Sequence, residues 1–126
     1  MSRLIIEINH NQEAFSPDDT IKGKVSWELS KQPESVFLRL FWYTKGKGTE
    51  DIDVVSEISF DYPHPKETRP FEIKLPISPY SFSGKLVSLI WALELVTDNP
   101  DAAIQKEIVI APYGQEINLL TPLSTT

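Results

Sequence analysis

The chain has 126 residues, 40% hydrophobic and 24% charged, which suits one soluble domain with a single hydrophobic core. It contains no cysteine, so disulfides, thiolate metal sites and a cysteine nucleophile are excluded. A formal net charge of -6 argues against nucleic acid and anionic lipid as main partners, since both favour a basic surface.

Seven apolar runs alternate with period two, which predicts half-buried strands rather than helices. The first, residues 3–8, places Leu4, Ile6 and Ile8 on one face. Residues 20–29 alternate Ile21, Val25, Trp27 and Leu29 with Lys22, Lys24, Ser26 and Glu28. Residues 35–43 direct Val36, Leu38, Leu40 and Trp42 inward. Residues 52–60 are expected to turn Ile52, Val54, Ile58 and Phe60 to the core and to form a sheet edge. Residues 70–75 offer Phe71, Ile73 and Leu75. The longest run, residues 85–96, puts Val87, Leu89, Trp91, Leu93 and Leu95 in phase. The last, residues 104–110, carries Ile104, Ile108 and Ile110. Prolines and glycines gather between the runs, where they punctuate strands. The expected fold is an all-β, seven-stranded antiparallel sandwich of immunoglobulin-like type over residues 1–113. Residues 114–126 form a tail, loose at its last positions.

Three stretches carry a family resemblance. They are FSPDDTIKGKV at residues 15–25, Val36 to Tyr43 with Gly46 after it, and Leu75-Pro76 through Ser81-Phe82-Ser83-Gly84 into Ile90-Trp91. In order, they resemble the first hairpin loop and second strand, the third strand, and the penultimate strand of the arrestin-like sandwich. That domain is found in the amino-terminal half of arrestins, in the retromer subunit of that shape and in small bacterial relatives. The resemblance spans about residues 1–113 and implies a protein-interaction scaffold with no catalytic residues to carry over. Only one sandwich is present, so the two-domain concave surface of an arrestin cannot form within one chain. Asp18 stands where the family usually has glycine, and aspartate tolerates unusual turn backbone better than most residues.

Catalytic and metal-binding patterns are sparse. His10 and His64 both fall in loops, His64 between Pro63 and Pro65, and no serine–histidine–carboxylate motif surrounds either. There is no zinc spacing and no phosphate-cradling glycine loop. In an immunoglobulin-like topology, two loops at one end would bring Asp18 and Asp19 near Glu50 and Asp51. Such a carboxylate cluster is what calcium needs, whereas Lys45 and Lys47 would neutralise it.

The clearest functional signal is apolar residues on a face expected to be wet. With Val36, Leu38, Leu40 and Trp42 inward, Phe37, Arg39, Phe41 and Tyr43 point outward. On the neighbouring run Ile90, Ala92 and Val96 also point outward, so the two sets should merge into one patch. Three occupants compete for it: the chain's own Leu119, Leu120 and Leu123, a protein partner or second copy, and a sugar stacked on the aromatics. Trp27, Trp42 and Trp91 all fall in core-facing phases. The expected function is a non-enzymatic, cytoplasmic interaction module with no cofactor, binding a protein or itself through the outer face or an edge. The alternative is a ligand-binding module for calcium or carbohydrate.

Overall fold

Each of the seven runs becomes a strand, because period-two alternation buries one side chain row only in extended backbone. The computed structural model describes residues 2–46, 48, 50–84, 86–98, 102–112 and 117–118. The long strands are β1 (Arg3–Ile8), β3 (Thr20–Glu28), β4 (Val36–Gly46), β5 (Ile52–Ser59), β6 (Lys66–Lys74), β8 (Val87–Thr97) and β9 (Ala103–Ile110). Three two-residue strands complete them: β2 (Ala14–Phe15), β7 (Phe82–Ser83) and β10 (Ile117–Asn118).

Two sheets make a β-sandwich. In the smaller, β3 lies between β1 and β6, all antiparallel. In the larger, the long strands run β5–β4–β8–β9, again antiparallel. Of the short strands, β7 pairs antiparallel with β8, while β2 on β9 and β10 on β7 are parallel. Ile21, Val25 and Trp27 from one sheet and Leu38, Leu40, Trp91, Leu93 and Leu95 from the other build one buried core. Its apolar burial is the main favourable term holding the sheets together.

Two tryptophans satisfy their only donor while buried. The indole N–H of Trp27 donates to the carbonyl of His64 at 2.7 Å, and that of Trp91 to the carbonyl of Pro79 at 2.9 Å. Trp42 is half-buried against the same core.

Several expectations need correction. β6 begins at Lys66, four residues before the apolar run, because residues 66–69 pair with β3 despite their polarity. Pro70 is tolerated within β6 because β6 is a sheet edge, where a missing donor leaves no ladder bond unmade on the open side. Val87 and Ile104, expected in the core, are exposed. Val87 lies on a stretch of β8 that β9 does not accompany, and Ile104 sits near the start of β9.

The correction that matters for function is in β5. Downstream, Leu38 faces Ile58 and Leu40 faces Ser56, but next Phe41 faces Val54. Val55 is therefore the extra residue of a β-bulge, and such an insertion inverts the phase of alternation. Ile58 stays inward, whereas Ile52 and Val54 share the outer face with their partners Tyr43 and Phe41.

Candidate functional site

The outer face of the larger sheet gathers the residues expected there. β4 and β8 pair along their full lengths, setting Phe41 opposite Ala92 and Tyr43 opposite Ile90. Phe37, Arg39, Tyr43 and Ile90 are half-buried. The expectation of a wet patch fails at the other two positions, since Phe41 is 4% exposed and Ala92 is 0% exposed. Ala92 is small and lies in register between Phe41 and Glu107, whose larger side chains overshadow it. Phe41 stacks on Tyr43 with ring centroids 5.9 Å apart and planes at 24°. Tyr43 thus covers one side of the Phe41 ring.

A polar row crosses the same face on all four long strands. Arg39 on β4 donates to Glu57 on β5 at 2.8 Å and lies 4.0 Å from Glu94 on β8. Glu94 in turn accepts from Gln105 on β9 at 3.1 Å. The Arg39 guanidinium also sits 5.8 Å from the centre of the Phe37 ring, within cation–π range. Next to this row the Tyr43 hydroxyl donates to Glu107 at 3.4 Å. Burial raises the Tyr43 phenol above its ordinary value, and the charge of Glu107 and the bond to it add to the rise.

The exposed apolar surface lies one strand further out. Ile52 is 69% exposed, Val54 47% and Val55 39%, all on β5. β5 ends the larger sheet, as expected, so one side of its backbone meets no neighbouring strand among the described residues. Sequence reasoning missed these three because unbroken alternation assigned Ile52 and Val54 to the core. The one available signal was the Val54-Val55 doublet, which interrupts the period.

The other candidate sites separate in space or in role. An Asp19 carboxylate oxygen accepts from the Ser16 N–H at 2.9 Å, and Asp18 pairs with Lys74 at 3.5 Å. Asp51 donates its backbone N–H to the Thr44 hydroxyl at 2.8 Å, and Glu50 is exposed beside it. Among the described residues no three histidine, aspartate or glutamate side chains gather as a metal-ligating group, so the calcium cluster of Asp18, Asp19, Glu50 and Asp51 does not assemble. Trp27 and Trp91 are core residues, and Phe41 and Tyr43 turn one ring face to each other. His10 and His64 are exposed, and His64 is bonded through its backbone, its N–H donating to Glu67 at 3.1 Å. Leu119, Leu120 and Leu123, expected to cover the outer face, lie outside the described residues. The described part of the tail, Ile117–Asn118, joins the sheet edge-on beside Phe82–Ser83. A groove of about 730 Å³ opens beside β8, lined by Ser81, Ser88, Leu89, Ile90, Glu107 and Val109 among others.

Among the described residues no helix is long and apolar enough to cross a membrane. No protein-family profile matches the chain, and no curated protein matches it in sequence. Solved structures do match in fold. The crystal structure of Spo0M, a sporulation control protein from Bacillus subtilis, superposes with a TM-score of 0.64 at 15% identity. The match covers 87% of this chain and 49% of that one, so the chain spans about half the length of Spo0M. A β-glucosidase from Listeria innocua in complex with gluconolactone matches at a TM-score of 0.49 and 6% identity, over 92% of this chain and 16% of that one. The Spo0M likeness is one of fold, and it agrees with an all-β, arrestin-type sandwich.

Proposed function

We propose that this protein is a non-enzymatic interaction module that binds a protein partner through the β4–β5 side of its larger sheet. The observation that carries the reading is the exposure of Ile52, Val54 and Val55 on an edge strand beside the stacked Phe41 and Tyr43. Exposed apolar surface next to aromatic and arginine side chains is the composition favoured at protein interfaces. The arrestin-type fold supports a scaffold role, and the lack of cysteine fits a cytoplasmic setting.

The test compares the native chain with the double variant Ile52→Asp/Val54→Asp as baits in the host extract. Both positions are exposed, so the variant should melt within a few degrees of the native chain. Loss of the specific co-purifying protein from the variant supports the reading. Undiminished capture of the same protein by a folded variant removes this surface from the interaction.

A further inference from the structure

Backbone direction along β5 follows from its fixed bonds. Phe60 donates its N–H to Val36, and Asp51 accepts from Thr44, so residues 51 and 60 face β4. Alternation from these ends, interrupted by the bulge at Val55, turns the backbone groups of Ile52, Val54, Glu57 and Ser59 to the open side. An open strand edge of this kind is a template for an added strand.

The chemistry of the edge selects its occupant. Residues 50–61 hold Glu50, Asp51, Asp53, Glu57 and Asp61 and not one lysine or arginine. Arg39 engages Glu57, and Lys45 stands at one end of the edge, yet among the described residues Glu50, Asp51 and Asp53 enter no ion pair. The β6 edge of the smaller sheet is built differently. β6 carries Pro70 mid-strand together with Lys66, Arg69 and Lys74, the usual guards against strand addition. β5 has neither proline nor cation, and it exposes isoleucine and valine. Acidic side chains repel a second copy of this chain. Pairing two such edges would bring two rows of carboxylates together with no cation from either strand.

We propose that the open edge of β5 accepts an extended, basic peptide segment as an additional strand, seated on Ile52 and Val54 and attracted by the carboxylates of residues 50–61. This deepens the interaction reading above and rests on it. Backbone bonding supplies the ladder, the two apolar residues supply contact area, and alternate lysine or arginine side chains of the partner meet Asp53 and its neighbours.

The test titrates the full chain, amide-labelled for NMR, with the synthetic peptide KVKVKVK. Controls are EVEVEVE and the proline-interrupted KVKPKVK, which lacks a donor and resists extended pairing. The proposal expects saturable shifts centred on the amides of residues 52–59. Val54→Lys should weaken binding about tenfold, by removing apolar contact and adding like charge. Raising salt from about 50 to about 500 mM should weaken it further, because exposed ion pairs are screened. Equal binding of all three peptides, or shifts centred away from β5, overturns the proposal. So does a dimer in sedimentation that Val54→Lys dissolves, since a second copy would then be the occupant. If no peptide binds while Ile52→Asp/Val54→Asp still abolishes capture of the native partner, strand addition fails and the interaction surface stands. If neither experiment responds, both fall.

Discussion

Trp27, in the centre of the core, donates its indole N–H to the carbonyl oxygen of His64 at 2.7 Å. The loop that receives this bond, Tyr62-Pro63-His64-Pro65, is tied by three successive carbonyls. Pro63 accepts from the Gln32 side chain, His64 from Trp27 and Pro65 from the Leu29 N–H. Two prolines leave the loop poor in donors, so its contribution to bonding is mostly as acceptor. Trp27 therefore couples the core to the β5–β6 connection.

Replacing Trp27 with Phe keeps most of the ring volume and removes the donor. The expected loss is about 0.5–1.5 kcal/mol by urea unfolding, the usual net contribution of one hydrogen bond. Trp91→Ala should lose more, about 3–5 kcal/mol, because it opens a cavity in the core between the two sheets. A change in unfolding midpoint close to zero for Trp91→Ala would move this side chain to the surface and revive a sugar-stacking role.

Gly23 sits within β3, flanked by Ile8 on β1 and Phe71 on β6. A Cβ there would lie 2.1 Å from the Glu7 carbonyl oxygen and 3.0 Å from both the Ile8 Cα and the Phe71 ring. Gly23→Ala must therefore displace backbone, and overpacking of this kind destabilises by about 1–3 kcal/mol. A thermal scan showing an unchanged midpoint would contradict this crowding.

Glu67 ties stability to pH. Burial pushes its carboxyl up, but the His64 N–H, the Arg69 hydrogen bond and the Arg69 charge together outweigh it, so the folded value is lowered. A lowered carboxylate favours the fold when ionised, so its contribution is present above the unfolded value near about 4.3 and is lost as pH falls through the lowered value. The stability gap between the native chain and Glu67→Gln should be fully open at neutral pH and close in acid. Urea midpoints at neutral and acidic pH measure it, and a gap that widens on acidification would invert the assignment.

Asp18 has a φ of 69°, the left-handed conformation that glycine adopts without strain. Its ion pair with Lys74 joins two exposed side chains and contributes at most about 1 kcal/mol. Asp18→Gly should therefore be close to neutral. Asp18→Val, with a branched Cβ in the same turn, should destabilise by about 1–3 kcal/mol. Equal melting temperatures for the two variants would show that the turn imposes no such demand.

Alternation in residues 20–28 and 87–97 was enough to place Trp27, Trp91, Leu93 and Leu95 in one core, because a strand's side chains have only two sides to occupy. The adjacency of β4 and β8 was expected from the immunoglobulin-like topology rather than from alternation, and the structure sets Phe41 opposite Ala92. Tertiary structure decided the rest. The bulge at Val55 depends on how β5 registers against β4, a pairing between segments that local pattern cannot specify, and it moved Ile52 and Val54 from the core to the surface. Ala92 is buried between Phe41 and Glu107 in register on other strands, a setting that local sequence does not contain. Pro70 sits in a strand because β6 is an edge, and edge position belongs to the sheet. Each residue's own chemistry set which strands form and which side chains prefer the interior. Contacts between strands set which apolar residues are left in water, and with them the surface a partner would meet.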